Sequence, residues 1–96
     1  MIGKILRDIR LFNELTLTEL SSEWKLSQGY LSEIELGKKE PTFEVIQKYS
    51  QKFDVPISAI MFFVEHKNEP ELIKSFRKMV SGGVSKLFDY LLLKNI

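Results

Sequence analysis

The chain has 96 residues, of which 44 % are hydrophobic and 28 % are charged, and its formal net charge is +1. This size indicates one small domain, or a domain with an appendage, and excludes a large internal active-site cleft. With no cysteine and one histidine, the chain cannot form disulfides, thiolate zinc sites or a multi-histidine metal cage of its own. No apolar run suits a signal peptide or a membrane span, so we expect a cytoplasmic protein without membrane contacts, metal or cofactor.

The N-terminal part of the chain shows two helical patterns. Apolar residues recur at three- and four-residue steps over residues 2–12, which predicts an amphipathic helix. Thr16 and Glu19 have the spacing of a capping box, in which each residue satisfies a free N–H group of the other. The box predicts a second helix from about residue 17 to residue 24.

Three further helices follow before residue 64. Ser27 is the expected N-cap of a third helix, and Gly37 its left-handed stop. Thr42 is placed to cap a fourth helix over residues 43–53, and a fifth is predicted over residues 57–63. No segment alternates with a two-residue period, so we predict no strands. We expect the aromatic residues at helical spacing to lie in the core: Trp24, Phe43, Tyr49 and Phe53.

The C-terminal third has a different pattern. Residues 65–70 are polar and end in proline, which indicates a linker between a domain of residues 1–64 and a helical segment of residues 71–96. That segment contains two apolar helical stripes interrupted by Gly82-Gly83. Such a short helical pair has too little core to be stable alone, so we expect it to form a homodimer. The expected dimerisation residues are Phe76, Val80, Val84, Leu87, Phe88, Leu91 and Leu92.

The second and third helices have the arrangement of a helix-turn-helix. They are short, about three residues join them, and the small Ser21 lies where they would cross. The major groove of double-stranded DNA is about 12 Å wide and admits one α-helix. Candidate base-contacting residues on the third helix are Gln28, Gly29, Ser32 and Glu33. Candidate contacts to the DNA backbone are Thr16, Ser27, Tyr30, Lys38 and Lys39. The same polar residues also fit a merely solvated helix face.

Residues 2–63 resemble the lambda-repressor-like, Xre-type helix-turn-helix regulators. The resemblance rests on these motifs: Ile2-Gly3-Lys4, Ile9-Arg10, Leu15-Thr16, Leu20-Ser21, Leu26-Ser27-Gln28, Tyr30-Leu31-Ser32, Ile34-Glu35-Leu36-Gly37 and Pro41-Thr42. It implies a five-helix DNA-binding domain that acts as a dimer on a near-palindromic operator. It also places Arg10 and Glu35 at matching positions, where we expect a structural ion pair.

The C-terminal segment from Met79 resembles the two-helix oligomerisation hook of the Sin-type repressors. That resemblance implies a dimerisation hairpin and a small protein antagonist with a similar hook. Together the two resemblances imply an all-α fold: a five-helix lambda-repressor-like domain followed by a two-helix dimerisation hairpin.

Two residues depart from the family pattern. The positive charge of the chain is also not concentrated in the domain expected to bind DNA. Lys25 stands in the turn where the family often has glycine, which costs on the order of 1 kcal/mol if the backbone there has positive φ. Leu17 stands where glutamine is frequent, which removes one DNA contact. Residues 1–64 contain eight Lys or Arg and nine Asp or Glu, a net charge of −1, whereas residues 65–96 have +2.

These observations favour a dimeric, sequence-specific transcriptional repressor. The alternative is an antitoxin or antagonist that uses the same fold to hold a partner protein, which the acidic Glu33 and the apolar tail favour. An enzyme is not expected, because the sequence shows no nucleophile–base spacing and no catalytic residues, and its one histidine, His66, lies in the linker.

Overall fold

A computed structural model of the protein describes residues 2–80, which form six helices and no strand. The helices are α1 (Ile2–Phe12), α2 (Leu17–Trp24), α3 (Gln28–Glu35), α4 (Phe43–Phe53), α5 (Ile57–Glu65) and α6 (Pro70–Val80). The prediction of an all-helical protein is confirmed for these residues. Helix α5 extends two residues beyond its predicted end. None of the helices within residues 2–80 has both the length and the apolar character needed to cross a bilayer.

The helices enclose one apolar core. Helix α1 lies at its centre and packs against α3, α4, α5 and α6. The residues of the core are Ile5, Leu6, Ile9, Leu20, Leu31, Ile34, Val45, Tyr49, Phe53, Val55, Ala59, Ile60, Phe63 and Phe76. Because α1 contacts α3, α4, α5 and α6, its position constrains the positions of these helices.

The helix starts follow the capping signals in the sequence. The side chains of Thr16, Ser27 and Thr42 accept hydrogen bonds from the backbone N–H groups of the third residue after each. The capping box at the start of α2 differs in one detail. The carboxylate of Glu19 accepts from the Thr16 hydroxyl (3.1 Å), whereas the motif would bring it to the Thr16 backbone N–H.

Phe43 was expected in the core, and this expectation is wrong. It is the first residue of α4, and 64 % of its surface is exposed. The buried face of α4 carries Val45, Tyr49 and Phe53, and Phe43 lies about 200° around the helix from Val45. Its side chain therefore points away from the core, although its sequence spacing from Ile46 is helical.

Phe76 was expected at a dimer interface, and it lies instead in the core of its own chain. Its side chain is fully buried, and its ring centroid is 4.3 Å from that of Phe63 on α5. The predicted linker is reduced to a turn at residues 66–69, which lets α6 fold back on α1 and α5. The other expected dimerisation residues fall outside what the structure describes, since it describes no side chain at Val80 and nothing from residue 81 onward.

Gly3 allows α1 to pack closely against the backbone at the C-terminal end of α3. A Cβ atom at this position would lie 2.0 Å from the Ile34 carbonyl oxygen, far inside van der Waals contact. Side-chain motion cannot relieve such a clash, because the obstructing atom belongs to the backbone. Glycine is therefore required here by the close approach of two helices.

We expect Gly3→Ala to lower the free energy of unfolding by about 1–3 kcal/mol, because the two helices must move apart. Gly29→Ala is the matched control, since a Cβ atom there meets nothing within 4 Å and alanine is the better helix former by about 0.5–1 kcal/mol. Urea denaturation of both variants measures the difference. Equal stability of the two variants would contradict the packing role of Gly3.

Candidate nucleic-acid interface

Helices α2 and α3 form a helix-turn-helix, and hydrogen bonds involving Ser21 hold its turn together. Lys25, the residue after α2, has φ 55° and ψ 40°, so the strained left-handed conformation anticipated for a lysine at this position is present. Its backbone N–H donates to the Ser21 carbonyl, and the Ser21 hydroxyl donates to the Leu26 carbonyl. Ser21 thus satisfies the backbone of the turn as well as allowing the helices to cross closely.

A buried ion pair connects α1 to the end of α3. Arg10 donates from Nε and Nη2 to the Glu35 carboxylate at 2.8–3.2 Å, and from Nη1 to the Leu15 carbonyl at 2.9 Å. Only 9 % of the Arg10 side chain and 2 % of the Glu35 side chain are exposed. The hydrogen bonds to Glu35 raise the pKa of Arg10 above its ordinary value, so the guanidinium remains charged.

Tyr49 on α4 is a third member of this network. Its hydroxyl donates to Glu35 Oε2 at 2.6 Å. Burial raises the pKa of Tyr49 well above its ordinary value, and the hydrogen bond to Glu35 raises it further. Helical spacing predicted that Tyr49 lies in the core but not this contact, because spacing gives the face of a residue and not the partner of its hydroxyl.

The outer face of α3 is accessible to a ligand. Gln28 and Gly29 in its first turn are exposed, and Ser32 and Glu33 are half-buried. The four candidate base-contacting residues therefore lie on the surface of a single helix. Opposite them, Leu31 and Ile34 are fully buried and hold α3 to the core.

Tyr30, Glu33 and Lys39 form a surface cluster at the edge of α3. Lys39 Nζ is 3.5 Å from Glu33 Oε2 and 5.6 Å from the centroid of the Tyr30 ring. The lysine thereby compensates the one acidic side chain on the outer face of α3. Lys38 is exposed and forms no ion pair with any residue in the part of the chain that the structure describes.

The other candidate backbone contacts, Thr16 and Ser27, serve as helix caps through their side-chain oxygens. Both residues are exposed at the starts of α2 and α3. The hydroxyl hydrogen of Ser27 stays available to an external acceptor. The sequence pattern did not indicate Thr18 of α2, whose hydroxyl donates to the amide oxygen of Gln28 at 3.3 Å.

A shallow furrow borders the outer face of α3 on the side of α1. Two adjoining hollows form it and share Glu35 and Leu36. The remaining residues that line it are Gly3, Lys4, Arg7, Arg10, Leu17, Ser32 and Gly37. Lys4 and Arg7 were not among the site residues predicted from the sequence, although both lie on the polar face of the amphipathic α1. Residues 2–80 contain no group of three His, Cys, Asp or Glu side chains placed to hold a metal ion.

Comparison with known proteins identifies the family. The family model described as helix-turn-helix domain matches residues 3–62, so the chain belongs to this family. Over 61 residues, the chain is 38 % identical to the transcriptional regulator ClgR of Mycobacterium tuberculosis, in both strain CDC 1551 and strain H37Rv. The match covers 64 % of this chain and 54 % of the relatives, so the chain spans about half the length of the curated relatives it matches. No solved structure matches the chain.

We expect Arg10→Met to lower the free energy of unfolding by about 3–5 kcal/mol, because it leaves the Glu35 carboxylate buried without its cation. The double variant Arg10→Met/Glu35→Leu recovers most of this loss. It does not recover all of it, since the Tyr49 hydroxyl then lacks its acceptor at a cost of about 1–3 kcal/mol. Adding Tyr49→Phe to the double variant removes this residual loss of stability, because no unpaired hydroxyl is left. Thermal and urea unfolding measure the series.

The ion pair between Lys52 and Glu23 supplies the control. Its two atoms are also 2.8 Å apart, but both side chains are substantially exposed. Lys52→Met should therefore cost less than about 1 kcal/mol. If the effects of Arg10→Met and Glu35→Leu simply added, the two residues would not act as a pair.

Proposed function

We propose that the protein is a sequence-specific, DNA-binding transcriptional regulator that acts as a dimeric repressor at a near-palindromic operator. The observation that carries the proposal is the outer face of α3. This face presents an amide, a hydroxyl and a carboxylate side chain on a helix whose other face is fixed in the core. The similarity to a protein named as a transcriptional regulator supports the part of the proposal that concerns transcriptional regulation.

The side chains on α3 suit the edges of base pairs. In the major groove adenine presents one donor and one acceptor, which the Gln28 amide matches in both respects. Glu33 can accept a hydrogen bond from the amino group of cytosine. Backbone contacts supply register rather than sequence information, and we assign them to Thr16, Ser27 and Tyr30 and to the lysines at positions 38 and 39.

We expect Gln28→Ala to weaken binding to a selected duplex by about 1–3 kcal/mol and to leave binding to random DNA nearly unchanged. The selected duplex is one that the wild-type chain enriches from a random-sequence pool. Lys38→Ala should weaken binding to both and reduce the slope of log K against log salt by about one. Fluorescence anisotropy at several salt concentrations measures both variants.

Gln51→Ala, at an exposed position of α4, is the control for loss of a surface amide. A Gln28→Ala chain that binds the selected duplex as tightly as the Gln51→Ala chain would remove Gln28 from the interface. If the wild-type chain enriched no sequence and bound duplexes weakly, the alternative of a protein-binding antitoxin or antagonist would gain support.

Dimerisation completes the proposal. A single domain of this size neutralises few phosphates, whereas two copies on half-sites about 34 Å apart gain affinity through effective concentration. We assign dimerisation to the apolar residues that remain after Phe76 is removed from the set: Val80, Val84, Leu87, Phe88, Leu91 and Leu92. A small protein with a similar apolar segment would act as an antagonist by displacing one copy.

We expect the full chain to scatter light as a dimer at tens of micromolar, a concentration typical for a weak interface. Leu87→Asp should convert it to a monomer, because the substitution places a charge in an apolar interface. Ser85→Asp adds the same charge in the same segment outside the apolar set, and it should leave the dimer intact. A monomeric wild-type chain, or a dimeric Leu87→Asp chain, would contradict the assignment.

A further inference from the structure

We infer that the exposed side of α1 that carries Lys4 and Arg7 binds the DNA backbone along the edge of the major groove that α3 enters. The inference rests on the proposed function and extends it to a helix outside the helix-turn-helix. It starts from the furrow between α1 and α3, which joins Arg7 to Ser32 and Leu17 in one hollow.

The position of the furrow relative to α3 provides the first argument. Glu35 and Leu36 come three and four residues after Ser32, so all three lie along one side of α3 and its C-terminal end. That side faces α1 across the furrow. An α-helix with its side chains is about 10–12 Å in diameter and fills a groove about 12 Å wide. When α3 lies in the major groove, the protein surface directly beside it therefore lies over the phosphates that border the groove.

The state of the positive charges provides the second argument. Arg10, Lys39 and Lys52 are each paired with a glutamate. Lys4 and Arg7 are exposed, and neither lies within ion-pair distance of an acidic residue among residues 2–80. They are one helical turn apart on α1 and border the same furrow, so together they place two positive side chains beside it.

The lining of the furrow suits a phosphate. The charge of Glu35 is compensated by Arg10 at 2.8 Å, so the floor of the furrow contributes no net negative charge. Leu36 is exposed over 61 % of its surface and borders the furrow with apolar atoms that carry no opposing charge. The hollow beside Arg7 has a volume of about 170 Å³. The hollow is open to solvent, so a phosphate oxygen can approach Arg7 from outside.

Leu17 connects this site to the assigned backbone contacts. It lines the hollow as the first residue of α2, directly after Thr16. A DNA strand that passes the start of α2 therefore continues along the furrow toward Arg7 and Lys4. The assigned backbone contacts and the furrow thus form one continuous surface. Positive side chains gathered along such a surface can attract DNA even though the net charge of the domain is near zero.

The test is a salt titration of the full chain with a short random-sequence duplex, followed by fluorescence anisotropy. Each phosphate contact contributes about 0.9 to the slope of log K against log salt. We expect Arg7→Gln to reduce the slope by about this amount, so that its affinity falls about 3.5-fold less than that of the wild type between about 50 and 200 mM salt. Lys4→Gln should act in the same direction, and Arg7→Lys, which keeps the charge, should retain the wild-type slope.

Lys67→Gln is the matched control, because it removes the same charge from an exposed residue in the turn between α5 and α6, outside the furrow. It should leave the slope unchanged. Thermal melting of each variant verifies that the fold is intact, as expected for exposed positions. If Arg7→Gln retained the wild-type slope, or if Lys67→Gln lost as much, the inference would be overturned and the proposed function would stand. If the wild-type chain itself bound no duplex at about 50 mM salt, the proposed function would fail instead.

Discussion

The buried ion pair between Arg10 and Glu35 is the interaction on which the geometry of the domain depends. It joins α1 to the end of α3, reaches the Leu15 carbonyl in the turn before α2, and includes α4 through Tyr49. Burying two charges is costly unless their hydrogen-bonding groups are satisfied, and here the carboxylate has three donor groups around it. The network fixes the C-terminal end of α3, while the polar side chains on the outer face of this helix stay at the surface.

The electrostatic field of the domain depends on where its charged side chains lie and how they pair, more than on its net charge. Residues 1–64 have a net charge of −1, which by itself would not favour a polyanion. However, Glu23, Glu33 and Glu35 are each neutralised by a cation of the same chain. The positive side chains that remain beside α3, on α1 and after Gly37, form a local footprint, and association with DNA responds to such local fields. The small size of this footprint is the physical reason for proposing a dimer.

Local structure was largely predictable because its causes lie within a few residues. The side chains that cap α2, α3 and α4 were recognisable as Thr16, Ser27 and Thr42, and the helix boundaries followed from them. The left-handed conformation at Lys25 was anticipated through the family resemblance, because glycine is frequent at this place in the turn. The family resemblance also brought Arg10 and Glu35 together across 25 positions of the chain. Those inferences required no knowledge of which helices face each other.

The sequence by itself determined the helices, their caps, the helix-turn-helix and the polar face of α3. Only the tertiary structure decided that Phe43 is exposed, that Phe76 packs on Phe63, that the Tyr49 hydroxyl meets Glu35, and that Gly3 lies against the Ile34 carbonyl. The reason is that helical periodicity specifies the angle of a side chain around its own axis. What lies opposite that side chain depends on how the helices cross, and an apolar stripe has the same pattern whether it covers its own chain or a second copy.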